Sequence, residues 1–314
     1  MGVGGRAGGS RPRWRWAAVV LGCALALVAG CTPDASGLSG LPPGNPDEST
    51  TTTVHLADRT ALLYVPAKSP AGVPASLVVA LHGYTADAAG VVDFLGLRPL
   101  ADSRGFLVLA PQGTTDREGH TFWNAARACC NFTGSTVDDS EFLSRLIAGV
   151  TSAYGIDSTR VYLVGHSNGG FMAHRFACDH PDQVGAIASI AGALDVDATC
   201  EPAKPVSVLQ VHGDADETIA YDGGQINGRS YTSADQTVAR WRQIDGCRTE
   251  SHPATRLDAD ADVKGDDLKP TSWTDCGAGT RVALWTIAGG RHNPTLTPAF
   301  TTALYDWFEA GGRR

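Results

Sequence analysis

One short run of residues constrains this chain more than any other: Gly165-His166-Ser167-Asn168-Gly169-Gly170. It directly follows the apolar run Val161–Val164, which reads as a strand, and it opens residues 168–178, which read as a helix. A G-x-S-x-G between strand and helix is a turn so tight that its flanking positions tolerate little beyond glycine. The turn projects Ser167 at the helix N-terminus, where the peptide dipoles favour developing negative charge. A serine hydroxyl is almost un-ionised at neutral pH, so a reactive serine at this position needs a base.

The surrounding pattern supplies a scaffold for such a turn. Thr51–Leu56 and Ala61–Val65 are β-rich runs about Ala57-Asp58-Arg59 and predict a hairpin. Leu77–Leu81, Phe106–Ala110, Ala186–Ile190, Val206–Val211 and Val282–Ile287 read as further strands, several of them continuous apolar runs as in a parallel sheet covered on both faces. Helical stretches fall between them. One is broken near Pro99, and one is capped by Asp138 with Glu141 three residues on. Another covers Gln236–Ile244, and a last one opens at Thr297-Pro298 and stops at Gly311. Strands alternating with helices predict an α/β fold with a mostly parallel central sheet and helices on both faces. Ligands in such sheets bind beyond the carboxyl ends of the strands. Residues 249–280 are polar and irregular and read as a surface excursion.

The base is sought downstream of Ser167, because hydrolases of this architecture carry serine, acid and histidine in that chain order. Only His252 and His292 lie well downstream. His252 sits beside Pro253 with no strand in front, whereas His292 follows the strand Val282–Ile287 and a Gly289-Gly290 turn, and is the candidate base. The acid should follow Val206–Val211, where Asp214, Asp216 and Glu217 could all reach; position favours Asp216, with Asp214 as second choice. Leu81-His82-Gly83-Tyr84 ends another strand. Its glycine lets the Tyr84 N–H turn toward a substrate oxygen, with the Asn168 N–H as second oxyanion donor. Tyr84 and Trp123 are also candidates for the pocket wall.

Together these residues resemble a known family, the α/β-hydrolases that group polyhydroxybutyrate depolymerases with feruloyl and acetylxylan esterases. The resemblance is carried by His82-Gly83-Tyr84, Pro111-Gln112-Gly113, Trp123-Asn124 before Cys129-Cys130, and Val137-Asp138-Asp139. It continues through the serine turn, His212-Gly213-Asp214-Ala215-Asp216 and Gly289-Gly290-Arg291-His292. It implies a secreted serine esterase with Ser167, Asp216 and His292 as its triad and no cofactor. The family often has Trp-Pro-Gly shortly after the histidine; here Asn293-Pro294-Thr295 stands instead, which lowers the expectation of crystalline polyester as substrate.

Residues outside the motifs speak to compartment and partners. Arg6, Arg11, Arg13 and Arg15 precede an apolar run, Ala17 to Gly30, too short to span a bilayer comfortably. The run ends Leu27-Val28-Ala29-Gly30-Cys31, like a bacterial lipobox. Residues 1–30 are thus expected to be a lipoprotein signal peptide, Cys31 a lipidated N-terminus that anchors the chain to the membrane, residues 31–50 a flexible tether, and 51–314 the catalytic domain. The expected location is the extracellular face of the cell membrane, lipid-anchored, or the medium as a secreted protein. The formal charge of −8 becomes −12 without the four leader arginines, which excludes nucleic acid as a natural partner.

Six cysteines remain beyond the leader and Cys31. Outside the cytoplasm an even number suggests disulfides, and short loops favour Cys178–Cys200 and Cys247–Cys276, each contributing roughly 3–4 kcal/mol. Cys129 and Cys130 are then left with each other as an adjacent pair, or reduced. No metal site is expected: zinc spacing is lacking. Asp258, Asp260 and Asp262 imitate the start of a calcium loop, but Val263 and Lys269 occupy its glycine and glutamate positions, so the segment reads as a solvated acidic loop. Asn131-Phe132-Thr133 matches a glycosylation acceptor that a bacterial leader makes idle.

The expected function is hydrolysis of acyl esters, feruloyl, acetyl or short hydroxyalkanoate, through an acyl-enzyme. The expected substrate is an ester, polysaccharide-linked or a polyester oligomer. An envelope acyltransferase using the same triad is the alternative, and a non-catalytic carbohydrate-binding lipoprotein a more distant one. Loops 114–136 and 218–232 are expected to set pocket volume.

Overall fold

A computed structural model describes residues 1–2, 4–5, 37–43, 47–67, 75–197 and 199–312. The leader's apolar run and Cys31 lie outside the described residues. Strands and helices follow one another as β1 (Leu38–Ser39), β2 (Thr50–Leu56), β3 (Arg59–Val65), β4 (Leu77–Leu81), α1 (Ala88–Phe94), α2 (Leu97–Arg104), β5 (Leu107–Pro111), β6 (Thr114–Thr115), β7 (Thr121–Phe122) and α3 (Asp139–Tyr154). They continue as β8 (Val161–His166), α4 (Asn168–Asp179), β9 (Ala186–Ile190), β10 (Ser207–Gly213), β11 (Gly224–Ile226), β12 (Arg229–Tyr231), α5 (Ala234–Asp245), β13 (Thr249–Ser251), β14 (Leu268–Thr274), β15 (Val282–Ile287) and α6 (Pro298–Gly312).

Eleven strands form one sheet in the order β1-β2-β3-β5-β4-β8-β9-β10-β15-β14-β13. The block from β5 to β15 is parallel, and the strands on either side of it are antiparallel. Alternation along each strand divides the core in two. Leu77, Val79, Val161 and Leu163 pack on one face with Leu146, Phe171, Phe176 and Trp241 from α3, α4 and α5. Val78, Ala80, Tyr162 and Val164 pack on the other with Val92, Ala101, Phe300, Leu304 and Phe308 from α1, α2 and α6. Each fully buried Leu, Val or Phe contributes about 1.5–3 kcal/mol, so neither layer is dispensable. Parallel register places the polar loops. Leu81 lies opposite Gly165, His166 opposite Ile190, and Gly213 opposite Ile287. The carboxyl ends of these strands therefore finish level, and the segments leaving them start from one edge.

Three expectations are corrected. The polar excursion at 249–280 carries β13 and β14, which extend the sheet antiparallel to β15. An outer strand with a solvated face needs few apolar residues; here Leu268 and Trp273 supply the burial, with Arg242 stacked 4.5 Å from the Trp273 ring. Part of the expected tether is fastened to the domain. Leu38–Ser39 pair with His55–Leu56, and the Tyr154 hydroxyl donates to Pro42 O at 2.6 Å. Last, the helix break falls at Gly96, with φ 59°, and Pro99 lies in the first turn of α2, where a missing N–H costs nothing.

Disulfides join Cys178 to Cys200, Cys247 to Cys276, and Cys129 to Cys130. Among the described residues no helix is long and apolar enough to cross a membrane.

At the C-terminal end of α5, near the second disulfide, Asp245 is 2% exposed and accepts the Thr280 hydroxyl at 3.0 Å. Burial raises its pKa to about 7, against opposing hydrogen bonds from Thr280 and the Val206 amide. The folded state thus holds a proton that the unfolded chain releases near pH 4, and stability from this group falls as pH rises toward 7. Asp245→Asn should raise the thermal midpoint at pH 8 and leave it nearly unchanged at pH 4. Scanning fluorimetry at both pH values checks this; a midpoint lowered at pH 8 would show that the charged form is favoured.

Candidate active site

The turn between β8 and α4 has the predicted shape. Ser167 takes φ 54° and ψ −119°, and its N–H donates to Ile190 O at 2.8 Å. A side chain on Gly165 would place its Cβ 2.0 Å from Gly169 O, and one on Gly169 would lie 2.1 Å from Leu81 O. Both glycines are therefore fixed by backbone contact, and the hydroxyl of Ser167 is held at the start of α4.

His292 Nε2 lies 3.0 Å from Ser167 Oγ, and His292 Nδ1 lies 2.8 Å from Asp216 Oδ2. The structure thus brings together Ser167, His292 and Asp216, separated by up to 125 residues in sequence. Asp216 Oδ1 accepts the amides of Thr218 and Ile219, each at 2.8 Å. Burial by itself would raise the pKa of Asp216, but hydrogen bonds from His212, His292 and Thr218 outweigh it and hold the carboxyl well below its usual range. The second-choice acid is committed elsewhere. Asp214 Oδ1 accepts the Gly289 amide at 2.6 Å, and the Ala215 amide donates to Gly290 O at 3.0 Å. These bonds clamp the acid loop to the histidine loop. His252 is exposed and pairs with Glu250 at 3.3 Å.

A second histidine supports the first. His166 Nε2 donates to His292 O at 2.8 Å, and its ring lies 5.1 Å from that of His292. Burial pushes its pKa down to about 4, so it stays neutral and serves as a fixed donor.

The segments expected to form the oxyanion hole lie beside the serine. A Cβ on Gly83 would come 3.4 Å from Ser167 Cβ, which puts the Gly83–Tyr84 peptide against the hydroxyl. Asn168 opens α4, so its N–H has no acceptor within the helix. Trp123 does not line a pocket. It is fully buried, its indole N–H donates to His82 O at 2.9 Å, and its amide donates to Asn168 Oδ1 at 2.7 Å. The Asn168 amide group returns a bond to Trp123 O at 3.1 Å. Trp123 is thus a strut joining the two oxyanion segments. Tyr84 is half-buried, with its ring 5.3 Å from Phe132 and 5.5 Å from His120.

Several supporting carboxylates carry no signature of their partners in the sequence. Of the three acids in the expected solvated loop, Asp258 and Asp262 are exposed, whereas Asp260 is 2% exposed and is corrected here. Its Oδ1 accepts the amides of Thr295 and Asp262 at 2.9 and 3.1 Å, and Asp267 in turn accepts the amides of Ala259 and Asp260. Together they brace the loop that carries His292. Asp139, also buried, gathers Arg59, Thr114 and the Asn124 amide at 2.6, 3.1 and 2.7 Å. Short carboxylates accepting backbone N–H groups leave no periodic trace; Asp139 stands in the Val137-Asp138-Asp139 motif, but nothing in the sequence says what it binds. Asn131 is likewise turned inward, bonding Asn124 and Ser135.

One group among the described residues places three potential ligand atoms within 4.8 Å of one another, Asp116, Glu118 and His120. Asp116 Oδ1 already accepts the amides of Glu118 and His120 at 2.8 and 2.9 Å, so the cluster shapes the β6–β7 turn.

If Asp260 braces the histidine loop, Asp260→Ala should destabilise the fold by about 1–3 kcal/mol, because buried amides lose their acceptor. Urea denaturation measures this directly, and an unchanged midpoint would remove the brace.

Residues 60–263 match the family described as esterase PHB depolymerase. Over 71% of this chain and 66% of the relative, the sequence is 30% identical to the putative esterase NocK of Nocardia uniformis subsp. tsuyamanensis. It is 28% identical to feruloyl esterase B of Piromyces equi over 54% of this chain and 31% of that protein. The chain thus spans between about a third and two thirds of the length of these relatives. Among solved structures, the acetyl xylan esterase from Aspergillus awamori superposes with a TM-score of 0.56 at 18% identity, covering 87% of this chain and 99% of that one. At that identity the likeness speaks for the fold, which is that of the α/β-hydrolases. The match over residues 60–263 extends through both the serine and the acid loops, and the chain belongs to the esterase PHB depolymerase family.

Proposed function

We propose that the chain is a serine carboxylesterase that works through an acyl-enzyme. Ser167 attacks the ester carbonyl while His292 takes its proton, and the imidazolium that forms is stabilised by Asp216. His292 then protonates the leaving alcohol, and water repeats the sequence to free the acid. The amides of Tyr84 and Asn168 receive the developing oxyanion, one such donor being worth about 3–4 kcal/mol in the transition state. The observation that carries this reading is the unbroken contact from Ser167 Oγ to His292, 3.0 Å, and from His292 to Asp216, 2.8 Å. Ser167→Ala should abolish turnover of p-nitrophenyl acetate, and Asp216→Asn should lower kcat by a factor on the order of 10⁴. Full turnover by the alanine variant, or a loss under tenfold in the asparagine variant, sinks the respective assignment.

The alcohol portion we infer to be a sugar. A cleft of about 590 Å³ lies beside α4, lined by none of Ser167, Asp216 and His292, its walls including Asn124, Arg127, Phe171, Arg175, Asp195 and Arg229. Guanidinium, carboxylate and amide groups suit a hydroxyl-rich chain better than an aliphatic polyester, which needs apolar walls. The acyl group would be acetyl or hydroxycinnamoyl. Arg127→Ala should raise KM for an acetylated xylo-oligosaccharide several-fold more than for p-nitrophenyl acetate; equal changes in both would discard the sugar reading. Export, with anchoring through Cys31, is supported by the lipobox-like leader and by three disulfides that suit an oxidising compartment.

A further inference from the structure

Behind Asp216 runs a file of polar side chains that the ester chemistry does not use. Trp241 on α5, His174 on α4, and Gln210 and His212 on β10 are each 1% exposed or less. Trp241 Nε1 donates to His174 Nδ1 at 3.0 Å. An indole nitrogen can only donate, so His174 Nδ1 accepts and the imidazole proton lies on Nε2. That nitrogen faces Gln210 Oε1 at 3.0 Å. The Gln210 amide is thereby oriented, and a second constraint agrees: its Nε2 donates to Gly192 O at 2.8 Å. The same Nε2 lies 3.2 Å from His212 Nδ1, which must accept. The remaining His212 proton is then on Nε2, 2.8 Å from Ile219 O and 3.4 Å from Asp216 Oδ2. The Trp241 N–H, the Gly192 carbonyl and the Ile219 carbonyl thus impose one and the same direction on the protons of the file.

We propose that His212, its tautomer fixed by Trp241, His174 and Gln210 on one side and by Ile219 O on the other, is a positioning residue that holds an N–H 3.4 Å from Asp216 Oδ2, the oxygen that also holds His292. The inference rests on the triad of Ser167, His292 and Asp216. The His212 N–H draws charge from that oxygen, which makes Asp216 a weaker acceptor and keeps the His292 imidazolium from becoming too stable to release its proton. With the file reversed, a His212 lone pair would face both the carboxylate and Ile219 O. Burial pushes the His174 pKa down to about 4, consistent with a neutral link. The other groups around the pair are few. The Thr218 and Ile219 amides reach Asp216, and His166 faces His292. Tyr221 packs edge-on to His212 at 5.7 Å with its hydroxyl on Thr286, Asp214 is turned to the Gly289 amide, and Arg291 pairs with Glu217 at 3.9 Å on the surface.

The test uses the full chain with ¹⁵N-labelled histidine. In the wild type, the imidazole nitrogen shifts should show His174 and His212 each as a single Nε2–H tautomer, and Trp241→Phe should leave His212 in that form, because Gly192 O and Ile219 O still direct Gln210 and His212. His212→Phe should lose on the order of tenfold in kcat for p-nitrophenyl acetate, about the worth of one hydrogen bond to a charged group. The acid limb of its kcat/KM profile should move to higher pH. His212→Gln, which can still donate, should restore most of the rate and return the limb toward its original position. An Nδ1–H tautomer for His212 in the wild type overturns the proposal, as does an unmoved acid limb in a folded His212→Phe protein. Should that variant not fold, the tautomers in the wild type and in Trp241→Phe decide alone. They need no turnover, so they judge the file separately from the triad, which stands or falls with Ser167→Ala.

Discussion

The passage of β8 into α4 through a single left-handed residue is the constraint on which the rest of this structure depends. A non-glycine residue with φ 54° costs on the order of 1–3 kcal/mol, and Ser167 is kept there because the elements around it leave no relaxed alternative. Gly169 O would lie 2.0 Å from any Cβ on Gly165, and Leu81 O 2.1 Å from any on Gly169, so strand, helix and neighbouring strand meet at backbone contact. Closeness of this kind puts the hydroxyl at the helix N-terminus and within reach of the Gly83–Tyr84 peptide at the same time.

Around that turn, the loops that meet it are held by buried hydrogen bonds rather than by apolar packing. Asp214 clamps the acid loop to the Gly289 turn, Asp260 holds the Thr295 amide, and His166 holds His292 through its carbonyl. Trp123 ties His82 to Asn168. In each case a side chain satisfies a backbone group that burial would otherwise leave unpaired, at a cost of about 1–3 kcal/mol each. The same bonds that prevent that penalty fix where Ser167, Asp216 and His292 stand, so stability and geometry at the site have one physical origin.

The parallel strands are legible in the sequence because burial on both faces demands continuous apolar runs, as in Leu77–Leu81. The serine turn is legible because steric exclusion around a sharp bend leaves glycine as the residue that fits. His292 is reached by chain order and by the strand before it. Position and resemblance favour Asp216 over Asp214, but both follow β10, and their tasks are divided by their partners in three dimensions. Trp123, expected on a pocket wall, is internal, because a tryptophan's hydrophobicity says nothing about which side of a loop it faces. β14 is hidden in the sequence because a partly solvated strand containing Pro270 lacks the alternation that marks a strand on its own.

What the sequence determined by itself was local and periodic: the parallel strands, the helices, the glycine-bound turn at Ser167, and the short-loop cysteine pairs Cys178–Cys200 and Cys247–Cys276. Only the tertiary structure decided how Asp214 and Asp216 divide their partners, which acids brace the His292 loop, and which side chains line up between Trp241 and His212. The physical reason is range. Steric and periodic constraints act between neighbours in the chain, whereas a hydrogen bond acts between neighbours in space, and those become neighbours only when the parallel strands bring their carboxyl ends level.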